Sequence, residues 1–169
     1  MIHSLRTVQF VPISLDNAWD FFSSPKNLKD ITPASMNFEI LSEIPSKMYP
    51  GMIISYNVSP LPGYRVNWVT EITHVKENEY FVDRQLSGPY SIWHHEHHFK
   101  SVKGGVEMTD LLYYKLPFGA AGNLLNNWFI RKKVEGIFSY RKKVLDEKFG
   151  EKNRPANPLT KNSGPYNLK

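Results

Sequence analysis

From Asn123 to Phe149 the chain reads NLLNNWFIRKKVEGIFSYRKKVLDEKF. Leu124, Trp128, Val134, Ile137, Phe138, Val144 and Leu145 recur at roughly helical spacing, which predicts one long amphipathic helix. Gly136 inside it costs about 1 kcal/mol relative to alanine, and Gly150 is placed to end it. At about 1.5 Å per residue such a helix spans roughly 40 Å. A sheet must cover its apolar face, and no other segment is long enough to do so.

What precedes the helix has the period of strands. HSLRTVQFVPI alternates Leu5, Thr7, Gln9 and Val11 against Arg6, Val8 and Phe10 until Pro12 stops the pairing. Ser14 caps a short helix through LDNAWDFFS, whose stripe is Ala18, Trp19 and Phe22, and Pro25 suits the first turn of a second, PKNLKDI. Then NFEILSEI, GMIISYNV, YRVNWVTEITHV, EYFVDRQL, YSIWHHEHHFKSV and VEMTDLLYYKL read as strands, the last two joined at Lys103-Gly104-Gly105. Connections this short require antiparallel neighbours. The order predicts an α+β fold: a curved antiparallel sheet wrapped around a long C-terminal helix, with two short helices after the first strand. Residues 1–149 form one domain in this reading. Residues 150–169, proline-rich and without apolar period, form an extended or flexible tail.

Composition narrows the function. Of 169 residues, 41% are hydrophobic and 14% aromatic, enough to line a cavity as well as fill a core. The absence of cysteine removes disulfides, thiolate metal sites and cysteine nucleophiles, and fits a reducing, cytoplasmic location. There is no signal-peptide pattern and no apolar run of membrane-spanning length, so no stable membrane insertion is expected. The formal charge of +5 concentrates in Arg131-Lys132-Lys133 and Arg141-Lys142-Lys143. These read as a solvated helix face rather than a nucleic-acid surface. No phosphate loop, dinucleotide fingerprint or nucleophile elbow is present, and no cofactor is called for.

Four of the six histidines fall in SIWHHEHHFK, Ser91 to Lys100. Strand alternation splits them. Trp93, His95, His97 and Phe99 share one face, and the large aromatics mark it as the inner one; His94, Glu96, His98 and Lys100 share the solvent face. His94 and His98 lie about 13 Å apart, too far for one metal ion. His95 and His97 are about 7 Å apart at Cα, and the fold-back at Gly104-Gly105 brings Asp110 near their level, with Asp83 on the preceding strand a second neighbour. Three readings stay open: a buried polar network, a group that orients a ligand or works as general acid and base, and a metal site short of a third and fourth ligand. Arg141, close to the apolar stripe, can reach Asp110 or Asp83.

The combination Phe81-x-Asp83-x-Gln85, Gly88-Pro89, Trp93-x-His95-x-His97-x-Phe99, Asp110, Tyr114-x-Leu116-Pro117-x-Gly119 and Ile137-Phe138-x-Tyr140-Arg141 resembles the SRPBCC superfamily. That is the helix-grip group of START and birch-pollen-allergen-like domains, polyketide cyclases and coenzyme Q-binding proteins. Within it the chain is most similar to bacterial members labelled cell division inhibitor-like. The resemblance covers about residues 1–149 and implies a cavity between sheet and helix for a lipid, polyketide or other hydrophobic small molecule. The expected ligand-binding residues are Tyr56, Trp68, Phe81, Asp83, Trp93, His95, His97, Phe99, Asp110, Tyr114, Trp128, Phe138 and Arg141. The leading expectation is a binding or carrier module, more a carrier than an enzyme. The alternatives are a cyclase or aromatase using His95, His97 and Asp110, and a protein-interaction module acting through the basic helix face or the tail.

Overall fold

The computed structural model describes residues 1–61 and 63–150, leaving aside the side chains of Leu125 and Asn127. The expected tail therefore lies outside the described residues beyond Gly150. The elements follow in the order β1 (His3–Val11), α1 (Leu15–Phe22), two 3₁₀ turns (Pro25–Lys29 and Ala34–Met36), β2 (Glu39–Ile40), β3 (Met52–Leu61), β4 (Tyr64–Lys76), β5 (Tyr80–Ser87), β6 (Ile92–Val102) and β7 (Gly105–Lys115). A continuous helical segment then runs through α2 (Gly119–Leu125), a π-helical turn (Asn126–Ile130) and α3 (Arg131–Phe149).

The strands form one seven-stranded sheet in the order β1-β7-β6-β5-β4-β3-β2, and every neighbouring pair is antiparallel. β2 to β7 are a meander, and β1 closes the far edge beside β7. At the β6–β7 hairpin Gly104 takes φ +85°, a conformation open to glycine at no steric cost. α1 begins where Ser14 accepts a hydrogen bond from the Asn17 amide at 3.2 Å.

β7 is the clearest strand: Val106, Met108, Asp110, Leu112 and Tyr114 are buried while their neighbours are half-exposed. α3 meets this inner face with Val134, Phe138, Arg141 and Leu145, one stripe at helical spacing. Gln9 of β1 fixes the helix from the side, its amide donating to the Lys142 carbonyl at 3.1 Å and to Asp146 Oδ1 at 3.3 Å. α1 caps the other part of the sheet. Trp19 packs edge-on against Phe81 and Phe99, with ring centroids 6.1 and 5.7 Å apart, in a cluster with Phe22, Met108 and Leu145.

Two expectations are corrected. The helical segment begins at Gly119, not Asn123, and its stripe does not run back through Leu124 and Trp128, which are 63% and 78% exposed. The π-turn at Asn126–Ile130 changes the number of residues per turn, so the face that α3 buries falls out of phase with residues before it. In the stretch Asn37–Ile44 only Glu39 and Ile40 pair as a strand. The Leu41 and Ser42 amides both converge on the Ser55 carbonyl, at 2.8 and 3.3 Å, which ends the regular ladder.

Candidate functional site

A cavity of about 790 Å³ lies between the concave face of the sheet and the helices. Its wall is built from alternate residues of the central strands, because only those point inward: Ile54, Tyr56 and Val58 of β3, Trp68, Thr70 and Ile72 of β4, Phe81 and Asp83 of β5, and Trp93, His95 and His97 of β6. Val134, Ile137, Phe138 and Arg141 of α3 form the opposite wall, and the 3₁₀ turns and the segment around Phe118 frame its ends. Trp93 is the hub of the aromatic wall, with Trp68 at 5.1 Å and Tyr90 at 4.8 Å between ring centroids.

The polar groups on the sheet side of the wall gather in two places. Tyr56 and Thr70 share a hydrogen bond of 3.0 Å, and burial pushes the Tyr56 phenol up, so it stays un-ionised. The second place is the cluster on β5 and β6. Asp83 stands opposite His95, and His97 opposite Asp110. The hydrogen bonds run on the diagonals instead: His95 Nε2 donates to Asp110 Oδ1 at 3.0 Å and His97 Nε2 to Asp83 Oδ2 at 3.0 Å. His95 Nδ1 lies 3.6 Å from Asp83 Oδ2. His97 Nδ1 is 3.0 Å from Asp110 Oδ1 but poorly aligned, and makes no hydrogen bond there. Asp110 also accepts from Thr7 Oγ1 at 3.2 Å and from Arg141 Nη1 at 3.4 Å. The two imidazoles pack with ring centroids 3.8 Å apart, and His97 stacks on Phe81 at 4.2 Å.

The electrostatics follow from burial opposed by these partners. Burial alone would neutralise Asp110, but His95, His97 and Arg141 hold its carboxyl well below the usual carboxylate range. Asp83 is likewise held below its ordinary value against burial, by its bond to His97 and the surrounding positive charge. Burial opposes charge on His97, yet its two carboxylate neighbours raise it; His95 is pushed down by burial and by the charge of His97. The patch thus sets the carboxylates of Asp83 and Asp110 against Arg141 and a His97 that they favour in its charged form, beside a His95 that burial favours in its neutral form.

Of the residues expected in the site, Tyr56, Trp68, Phe81, Asp83, Trp93, His95, His97, Phe138 and Arg141 line the cavity. The other four are elsewhere. Phe99 is in the packed core under α1, with Phe22 at 5.5 Å. Tyr114 is buried with its hydroxyl donated to Asn126 Oδ1 at 2.8 Å. Asp110 backs the histidines from behind and borders a smaller cavity of about 230 Å³ between β1 and α3. Trp128 points to solvent, as the π-turn dictates. His94 and His98 stand on the outer face, each held by one oxygen of Glu96, at 3.1 and 2.9 Å. Sequence reasoning missed Thr7, Thr70 and Tyr90. Thr7 was findable, since it shares the inward face of β1 with Gln9 and Val11.

No family model and no curated protein sequence matches the chain. Solved structures do. The ginseng major latex-like protein 151 from Panax ginseng superposes with a TM-score of 0.64 at 13% identity, over 88% of this chain and 97% of that one. The chain has a helix-grip fold. The same fold relates it to Ara h 8.0201, with a TM-score of 0.57 at 11% identity over 87% of this chain and 99% of that one. It also relates it to StfQ, a di-domain aromatase/cyclase of the steffimycin biosynthetic pathway, with a TM-score of 0.59 at 11% identity over 88% of this chain and 52% of that one. At these identities the likeness concerns the fold. Among the described residues no helix of this helix-grip protein is long and apolar enough to cross a membrane.

Proposed function

We propose that this protein binds and carries a hydrophobic or amphipathic small molecule, a lipid, polyketide or similar compound, in the cavity between sheet and helix. The observation that carries the reading is the wall itself. A volume of about 790 Å³ is in the range of small-molecule sites, and its sheet side is aromatic and aliphatic except for the Tyr56–Thr70 pair and the Asp83–His95–His97 group. The Asp83–His95–His97–Arg141 patch would meet the polar end of the ligand. A thermal-shift panel of lipids and polyketides tests this. A ligand at about 100 times its Kd adds about 2.7 kcal/mol, which at about 2–4 °C per kcal/mol raises Tm by roughly 5–11 °C. No shift with any apolar class would overturn the reading.

One observation favours a second reading, an enzyme of cyclase or aromatase type. His95, which burial favours as the neutral base, stands on the cavity wall beside His97, which its carboxylate neighbours favour as the acid, at a ring-to-ring distance of 3.8 Å. It predicts that His95→Ala and His97→Ala abolish turnover of a polyketide substrate while the ligand-induced rise in Tm persists. Equal loss of both points back to ligand binding.

A further inference from the structure

The polar cluster has the geometry of a metal site. One ligating atom from each of Asp83, His95 and His97 lies within 4.8 Å of the others. Among the described residues no other three side chains of His, Asp or Glu bring such atoms so close. Asp83 Oδ2 is 3.0 Å from His97 Nε2 and 3.6 Å from His95 Nδ1. With metal–ligand bonds of about 2.0–2.2 Å, neighbouring donors in a tetrahedral or octahedral shell stand about 3.0–3.5 Å apart. The Asp83–His97 pair is therefore at coordination spacing already and the Asp83–His95 pair close to it.

The groups behind them are arranged as a metal requires. An ionised Asp110 can only accept, so His95 carries its proton on Nε2 and presents the Nδ1 lone pair on the Asp83 side. His97 turns Nε2 toward Asp83 and leaves Nδ1 facing the same Asp110 oxygen. Asp110 thus stands behind His95 in the carboxylate–histidine–metal arrangement that fixes tautomer and ring orientation, and lies against His97 without a hydrogen bond. Two buried atoms of the cluster, His97 Nδ1 and Arg141 Nε, lack partners, and both residues are more than nine-tenths buried.

We propose that Asp83 Oδ, His95 Nδ1 and His97 Nε2 bind a divalent first-row transition ion on the cavity wall, with Asp110 orienting His95. On binding, the Nε2 proton of His97 passes to solvent and the ion takes its place. Two imidazole nitrogens and one carboxylate oxygen suit Zn²⁺, Fe²⁺, Co²⁺ or Mn²⁺ rather than Ca²⁺ or Mg²⁺, which take all-oxygen shells. Asp83, His95 and His97 line the cavity whereas Asp110 does not, so the remaining coordination positions open toward the cavity, which is also the entry path. The site needs no organic ligand, so it stands or falls apart from the carrier reading.

The test uses the full, untagged chain stripped with EDTA and titrated calorimetrically with Zn²⁺. One ion per chain is expected, held through desalting. Asp83→Asn and His97→Ala should weaken binding at least about 100-fold, and Asp110→Asn by about 10–100-fold through the lost orientation. The double variant His94→Ala/His98→Ala, on the outer face, should keep wild-type affinity. Absence of stoichiometric binding, or loss of it in the outer-face variant with retention in Asp83→Asn, overturns the proposal. Should an inner variant fail to fold, anomalous diffraction from wild-type crystals soaked in Zn²⁺ decides. A peak between Asp83, His95 and His97 supports the site; a peak only at His94, Glu96 and His98, or none, refutes it.

Discussion

Replacing Asp110 with alanine should destabilise the metal-free protein by about 3–5 kcal/mol, the cost of removing one partner from a buried charge pair. The carboxylate is 7% exposed and accepts from His95, Thr7 and Arg141. Its loss has unequal effects on those partners. Thr7 can turn its hydroxyl, and His97 can release its proton, since the neighbouring carboxylates are what raise it. Arg141 has neither escape: a guanidinium does not deprotonate, and the residue is 8% exposed. Most of the penalty therefore belongs to a stranded Arg141. Replacing Arg141 alone with methionine leaves Asp110 its bonds to His95 and Thr7, so that variant should lose less, about 1–3 kcal/mol. The double variant Asp110→Ala/Arg141→Met should then be more stable than the sum of the singles by about 1–3 kcal/mol. Urea unfolding in EDTA measures all three, and Tm should fall by roughly 6–20 °C in Asp110→Ala. Additivity within about 0.5 kcal/mol, or a loss below about 1 kcal/mol in Asp110→Ala, would refute the argument that Asp110 is the counter-charge of Arg141.

The remaining predictions concern pH, backbone space and the exposed helix face. Asp83 and Asp110 titrate lower in the folded than in the unfolded chain, so their contribution is present above the unfolded carboxylate value, about pH 4, and disappears as pH falls through their folded values. Unfolding followed from pH 7 to pH 2 in EDTA should show this acid loss, shallower in Asp110→Ala; equal slopes would count against it. Gly122→Ala and Gly136→Ala should act in opposite directions. A Cβ on Gly122 meets the Pro117 carbonyl oxygen at 2.1 Å, whereas one on Gly136 meets nothing within 4 Å. Denaturation should show the first losing about 1–3 kcal/mol and the second gaining up to about 1 kcal/mol from helix propensity. Trp128→Ser should change stability by no more than about 0.5 kcal/mol and leave any ligand-induced rise in Tm intact, because the ring is 78% exposed.

Strand period and turn chemistry made most of the fold readable. Lys103-Gly104-Gly105 set the register that puts Asp110 opposite His97, and Trp93 and Phe99 marked the inner face of β6. The helix was readable from Val134 onward, where its stripe meets the sheet. It was not readable before that, because a π-turn leaves no mark in hydrophobic spacing and silently shifts the phase. Leu124 and Trp128 look like members of the stripe only when a constant 3.6 residues per turn is assumed. The site was partly readable for a different reason. Alternation assigns a side chain to a face, but it does not say what covers that face. Phe99 and Trp93 point the same way, yet α1 packs over Phe99 while open space lies over Trp93.

That difference along one strand explains where the polar cluster sits. The inner face of β6 begins at the cavity with Trp93 and ends in the core with Phe99, and His95 and His97 occupy the boundary between them. Deeper in the core, charges would have no route to exchange a proton or an ion. Farther out among the aromatics of the cavity, Asp110 and Arg141 could not reach them to fix tautomer and charge. At the boundary the histidines are buried enough for each carboxylate to act strongly on them, because the local dielectric is low. They still border a space that a small molecule or an ion can enter. The alternation of β6 selects which histidines face inward, and the reach of α1 along the sheet decides that these two are accessible from the cavity.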